Sequence, residues 1–348
     1  MDDLNISKNT KTIQLVAVIL FLLTGITVIQ TKAERITKNR FIATDHIQWK
    51  CLAFKAESFL YDIDIRINIR PSDPDAQKTF CPLTVNDLQQ DNLNNSKTIN
   101  NKILRISVIT SVNPLIGSKE DIKSTAFYYI NNNTHIQNAD SRICKGLLSV
   151  NGLKLLGYVK LSMGEKKRER IYWLKDTGVM RLKRMPSNQD EAEMSPDSWT
   201  DTKETFYSYG IRGIRAQDII EPSILVLFPY TAFHNLKQAS LLVLNKHQIY
   251  ILQIHTAYVN DLHVFPSKKE EEPNTYRKEK AKYIKVSFSP RSLTNIGQKD
   301  KGFSFFGLRG DFDIYIDKDS GLPILIHGRL SGFGDVNIKL YRAVPAHE

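Results

Sequence analysis

Residues 59–69 read FLYDIDIRINI, and this strict alternation constrains the chain more than any other feature. Phe59, Tyr61, Ile63, Ile65, Ile67 and Ile69 share one side of an extended backbone, while Asp62, Asp64, Arg66 and Asn68 share the other. Successive side chains of a strand point to opposite faces, so period two describes a half-buried strand with one wet side. ILRISVITSV (103–112) repeats the pattern through Leu104, Ile106, Val108 and Val112. Between these runs, residues 71–101 are rich in Pro, Asp, Asn and Gln and read as a polar insertion with its tip at LNNSKTINN.

The same grammar continues to the C-terminus. LLGYVKLSM (155–163), RIYWL (170–174) and GVMRLKRM (178–185) read as short strands with polar connections. In the KDTG connection, Gly178 is expected to supply a positive φ. Residues 186–204 are acidic and turn-rich and read as an exposed loop; residues 266–282 carry dense mixed charge and read as a solvated insertion. Strand patterns resume at 248–259, 282–288, 303–307, 311–317, 322–330 and 335–341. The turns at 317–321 and 331–334 combine aspartates that bond their own backbone with glycines that tolerate positive φ. IIEPSILVLFPYTAF (219–233) reads as a short helix of about two turns, entered at Pro222 and stopped at Pro229. The expected fold is mainly β: a curved antiparallel sheet or half barrel, with one short helix covering its concave side.

The chain has 348 residues and a formal net charge of +11. That surplus points to acidic partners such as anionic lipid or envelope polysaccharide, or to a plain solvated surface. Residues 13–29, IQLVAVILFLLTGITVI, form an apolar run, and Thr31-Lys32-Ala33 places small residues around a cleavage point after Ala33. Residues 1–33 are expected to be a signal peptide or short membrane anchor, residues 34–348 a single β-rich domain, and the protein periplasmic. The basic flank at Lys32, Arg35, Lys38 and Arg40 supports the opposite orientation, an anchor with a cytoplasmic body. Cys51, Cys81 and Cys144 are too widely spaced for a zinc site. Either Cys51 pairs with Cys81 or all three are buried thiols.

No catalytic motif is present. His247, His255 and His263 recur without a companion carboxylate pair at ligand spacing, so no metal or other cofactor is expected. Asp311, Asp313, Asp317 and Asp319 are the densest carboxylate set. A glycosidase needs its two carboxyls facing each other across a cleft; a solvent-facing strand is the plainer reading. GRLSGFG (328–334) lies between strands, so it lacks the helix N-terminus of a phosphate cradle. The basic runs KKRER (166–170) and RLKRM (181–185) flank Tyr172 and Trp173. They could clamp single-stranded nucleic acid or meet a membrane surface. Edge-strand charge that blocks sheet-to-sheet association is the preferred reading, and nucleic acid is not the expected partner.

AESFLYDIDI (56–65), PSILVLF (222–228), QIYILQI (248–254) and, above all, residues 303–341 resemble a bacterial envelope family catalogued as domain of unknown function 3108. Glu57, Tyr61, Ser223, Asp317, Gly321, Leu322, Pro323 and Val336 stand at positions matching that family's pattern. The resemblance implies an exported half barrel, similar to lipoprotein carriers, with a helix in its mouth; it carries over no activity and no catalytic residue. The insertions at 71–101, 186–204 and 266–282 depart from it. The expected function is non-enzymatic: binding an apolar or amphipathic ligand, such as a lipid, a lipoprotein or another envelope component, beneath the sheet. Tyr61, Ile63, Ile65, Leu225, Phe228, Ile314, Ile316 and Ile326 are expected to line the covered side. Two alternatives stay open: an assembly partner with a filled core that binds protein or polysaccharide through basic edges, and a carbohydrate-active hydrolase using the aspartate ribbon. Oligomeric state is not legible.

Overall fold

The alternating runs pair side by side into one sheet. The computed structural model describes residues 49–58, 60–71, 103–115, 118–130, 153–210, 214–227, 238–260, 282–293 and 302–345. Their strands are β1 (Trp49–Glu57), β2 (Tyr61–Pro71), β3 (Ile103–Pro114), β4 (Glu120–Ile130), β5 (Leu153–Ser162), β6 (Arg168–Lys175), β7 (Gly178–Met185) and β8 (Asp201–Ser208). After them come β9 (Ile219–Ile220), β10 (Gln238–Asn245), β11 (Gln248–Asn260), β12 (Lys282–Ser292), β13 (Ser304–Phe305), β14 (Leu308–Asp317), β15 (Pro323–Leu330) and β16 (Gly334–Pro345).

The order across the sheet is β8-β7-β6-β5-β4-β3-β2-β1-β16-β15-β14-β12-β11-β10-β9, with β13 appended to β14. The first described strand therefore pairs with the last, joining two meanders into a single curved surface. Every pairing is antiparallel except that of β9 with β10. The sheet does not close on itself: β8 and β9 are its two edges. Both edges are blunted, β9 by being two residues long and β8 by Asp201, Lys203 and Glu204, all exposed.

The face assignments read from alternation hold where the structure describes them. Ile63, Ile65, Ile67 and Ile69 are all buried, while Asp62, Arg66 and Asn68 are exposed. Leu104, Ile106 and Val108 are buried in the same core. Fully burying such a side chain contributes about 1.5–3 kcal/mol. The turns also behave as expected: Gly321 and Gly334 have φ of +69° and +82°.

Three expectations change. Of the segment at 219–233, the described residues, 219–227, hold β9 and a short helix of the 3₁₀ type, Pro222–Leu227. Its run of Ile, Leu and Val side chains is buried all round rather than on one stripe. Residues 186–204 are more than a loop. They contain a helix, Gln189–Glu193, capped by Asn188 Oδ1, which accepts the Glu191 N–H at 2.8 Å, and they run into β8. Gly178 has no left-handed backbone. It is required by close approach, since a Cβ there would collide with the Tyr207 carbonyl oxygen on β8.

Residues 41–348 group as one compact unit. Among the described residues no helix is long and apolar enough to cross a membrane. The expected leader at 1–33, Cys81, Cys144 and nearly all of the insertions at 71–101 and 266–282 lie outside the described residues.

Candidate functional site

The curled sheet encloses a cavity of about 660 Å³, within the range of small-molecule sites. Its position follows from register. On β3 to β7 the inward residues change from aliphatic to polar, and there the hollow stays open. Thr110 faces Ile122, Ser124 faces Lys160, Lys160 faces Arg170, Ser162 faces Arg168, and Tyr172 faces Arg181. All of these residues line the cavity. Phe303, Phe305, Phe306 and Phe333, from around β13 and the turn before β16, add aromatic lining. Phe305 stacks on Phe312 with centroids 4.3 Å apart, and Phe312 stacks on Phe288 at 4.8 Å.

Two tyrosines tie β4 and β5 to residues 221 and 246, with which those strands form no ladder. Tyr128 on β4 accepts the Glu221 N–H at 3.0 Å and donates to the Glu221 carbonyl at 3.2 Å. Tyr158 on β5 donates to the carbonyl of Lys246, in the turn between β10 and β11, at 2.6 Å. Its ring stacks on Tyr172, with centroids 4.5 Å apart. Next to them, Tyr207 on β8 stacks on His247 at 4.1 Å. Burial raises the Tyr128 and Tyr158 phenols well above their usual range, so both stay neutral hydrogen-bonding groups.

The wall is cationic. Lys160, Arg168, Arg170, Arg181, Lys246 and Arg309 line the cavity, against the carboxylates of Glu120 and Glu221. Glu221 is buried and pushed upward by desolvation, and its carboxylate accepts from the Ser223 N–H at 2.9 Å and from the Ser223 hydroxyl. Lys160 keeps part of its surface accessible from the cavity, yet the surrounding protein strips most of its water. Desolvation first, then the nearby Lys246 and Arg170, pull its ammonium down to about 8. Burial likewise lowers Arg170. Arg168 Nε, Arg181 Nε and Ser162 Oγ are buried without a hydrogen-bond partner.

The residues expected to line the covered side are covered, but by the core and not around this cavity. Ile63, Ile65, Ile314, Ile316, Ile326 and Leu225 are packed in the main core, and Tyr61 is half-buried against it, its ring edge-on to Phe333 at 5.1 Å. Phe228 lies outside the described residues. None of the seven placed residues lines the cavity. Ile314 and Ile326 are register partners; the others meet through the core rather than around an opening. The basic runs are corrected too: Arg168, Arg170 and Arg181 turn into the hollow instead of guarding an edge. Shared strand parity was visible in the sequence; which parity faces inward was not.

In the aspartate ribbon, Asp317 and Asp313 are engaged by other residues of the fold. Asp317 is wholly buried, and its carboxylate accepts from the Ser320 hydroxyl at 2.6 Å and the Ser320 N–H at 3.2 Å. Asp313 pairs with Lys285 at 3.0 Å. Neither these two nor Asp311 lines the cavity. Among the described residues no group of three or more potential ligands could hold a metal.

Fold and site together define an open, curled antiparallel sheet around a cation-walled hollow. No family profile matches the chain, so the likeness to domain of unknown function 3108 remains a resemblance. No curated protein matches it either. Among solved structures it is similar to a β-barrel-like protein of domain of unknown function 1849 from Brucella abortus. The TM-score is 0.41 at 7% identity, over 87% of this chain and 99% of that one.

Proposed function

We propose that this chain is a non-enzymatic binding protein of the bacterial cell envelope, exported to the periplasm, that holds an amphipathic ligand in the hollow of its sheet. One observation carries this reading: a cavity of about 660 Å³ whose lining is part phenylalanine, from the segments at 303–306 and 333, and part cation, mainly from β5 to β7. Such a division suits a molecule with an oily part and a charged part; apolar burial contributes about 25 cal/mol per Å² before association costs. Lipid, a lipoprotein's acyl group or an amphipathic envelope component would each present that chemistry. The packed core on β1, β2 and β14 to β16 supports a second reading, an assembly partner that uses its surface and leaves the hollow empty.

Native mass spectrometry of detergent-free protein separates the two. The binding reading expects a co-purifying mass, and displacement of a fluorescent fatty acid by the extracted compound. A ligand-free mass with no probe uptake would leave the assembly reading. An alkaline phosphatase fusion at the C-terminus tests export: an inactive fusion would place the body in the cytoplasm.

A further inference from the structure

We propose that the inward cations of β5, β6 and β7 form a subsite for a phosphoryl group, the charged end of the amphipathic molecule that the hollow is proposed to hold. This rests on the binding reading above and adds the chemistry of the head group.

Register comes first. Lys160 sits directly opposite Arg170, and Lys183 continues the same row on β7. Directly opposite residues have Cβ atoms about 4.5–5.5 Å apart, where like charges repel. The other face of the same strands is arranged differently. There Arg184 meets Glu169 at 3.3 Å and Asp197 at 2.6 Å. In the segment beside them Lys167 meets Glu193 at 3.0 Å. Outside, Arg184 and Lys167 are thus in ion-pair contact with carboxylates, whereas inside Lys160 stands opposite Arg170 and feels Glu221 and Glu120 only through space.

Unsatisfied donors come second. Arg168 Nε, Arg181 Nε and Ser162 Oγ are buried on this wall without partners. Buried donors are nearly always paired, so three on one surface call for an acceptor that brings several oxygens. The cavity's own carboxylates do not meet that need. Glu221 is engaged by Ser223, and Glu120 is exposed at the rim.

Charge and shape then choose the acceptor. A phosphate monoester carries close to two negative charges and three strong acceptor oxygens. Arginine forks bind such oxygens in pairs. A carboxylate offers one charge and two oxygens to a wall of four cations. The phenylalanine lining, at Phe303, Phe305, Phe306 and Phe333, fits an apolar tail and exceeds what free phosphate would occupy.

Calorimetry on the full chain tests this with decyl phosphate below its micelle concentration, decanol and inorganic phosphate. Decyl phosphate is expected to bind at least tenfold more tightly than either of the others. Arg170→Met and Lys160→Met are each expected to weaken decyl phosphate on the order of tenfold, leaving decanol unchanged. The exposed control Arg329→Gln should change neither. Thermal melting of Arg170→Met and Lys160→Met at or above the parent temperature shows that both are folded. Equal affinity for decyl phosphate and decanol would overturn the subsite and leave the hollow as an apolar site. A fall for Arg329→Gln matching that for Arg170→Met would overturn it in favour of diffuse charge. Inorganic phosphate binding as tightly as decyl phosphate would overturn the amphipathic ligand while upholding a phosphoryl subsite. Binding of none of the three would overturn both readings.

Discussion

The two sides of the hollow are built from the same pleat and end differently. On β1, β2, β12 and β14 to β16 the inward residues are mostly Ile, Leu, Val and Phe, and they pack into one core; of these strands Arg309 and Leu330 reach the cavity. On β3 to β7 the inward residues turn to Ser, Thr, Tyr, Lys and Arg, and the space persists. Apolar side chains gain by collapsing onto each other, whereas neighbouring cations lose by it. The difference teaches that this cavity is held open by the chemistry of its lining, and that curvature alone would have been filled.

The largest effect that would sharpen this contrast is on the packed side. Ile314→Ala removes a side chain 1% exposed and is expected to cost about 3–4 kcal/mol in urea unfolding. A loss under about 1 kcal/mol would mean that the side is less tightly filled than described. Next in size is a gain. Lys160→Met removes a desolvated ammonium, and the sign depends on pH. Below about 8 the lysine is protonated folded and unfolded, so the folded state carries the whole burial cost. Between about 8 and 10.5 the unfolded chain binds the extra proton, so parent stability rises with pH. The variant should therefore be more stable than the parent by about 2 kcal/mol at pH 7, after allowing for screening by cavity water. That advantage should fade as pH rises through the same window. A variant less stable at pH 7 would break the comparison.

Tyr128→Phe should cost about 1–3 kcal/mol, because it leaves the buried Glu221 N–H and carbonyl without the phenol. Hydrogen exchange at the Glu221 amide should speed up with it, and an unchanged rate would count against the bridge. The smallest effect is expected from Val112→Ala, a half-buried residue on the cavity wall. It should cost under about 1 kcal/mol, since a wall that already faces space gains little new void. Chemical denaturation of Ile314→Ala and Val112→Ala side by side compares the two regions directly.

Much of the packed side was legible in the sequence, and much of the open side was not. β2, β3 and β14 announce themselves because one face is apolar and the other wet. β10 does not, because Leu241 to Leu244 are buried on both faces and period two disappears. β8 fails for the opposite reason: most of its residues are exposed, so no face stands out. β4 begins polar, at Glu120-Asp121, and its aromatic residues appear only near its end. The basic runs at 166–170 and 181–185 were visible but read as edge charge, because alternation reveals which residues share a face and not where that face points. Tertiary curvature decides it, through pairings as distant in sequence as β1 with β16. The bridges from Tyr128 and Tyr158 span 93 and 88 residues, beyond any local pattern.

Those bridges have a geometric corollary. Along most of the sheet the distance between neighbouring backbones is fixed near 4.8 Å by ladder hydrogen bonds. Between β4 and Glu221 and between β5 and Lys246, which no ladder joins, it is the reach of a phenol ring that sets the span. Such a fastening is a latch and not a weld: undoing it forfeits a few bonds where a ladder would forfeit a row.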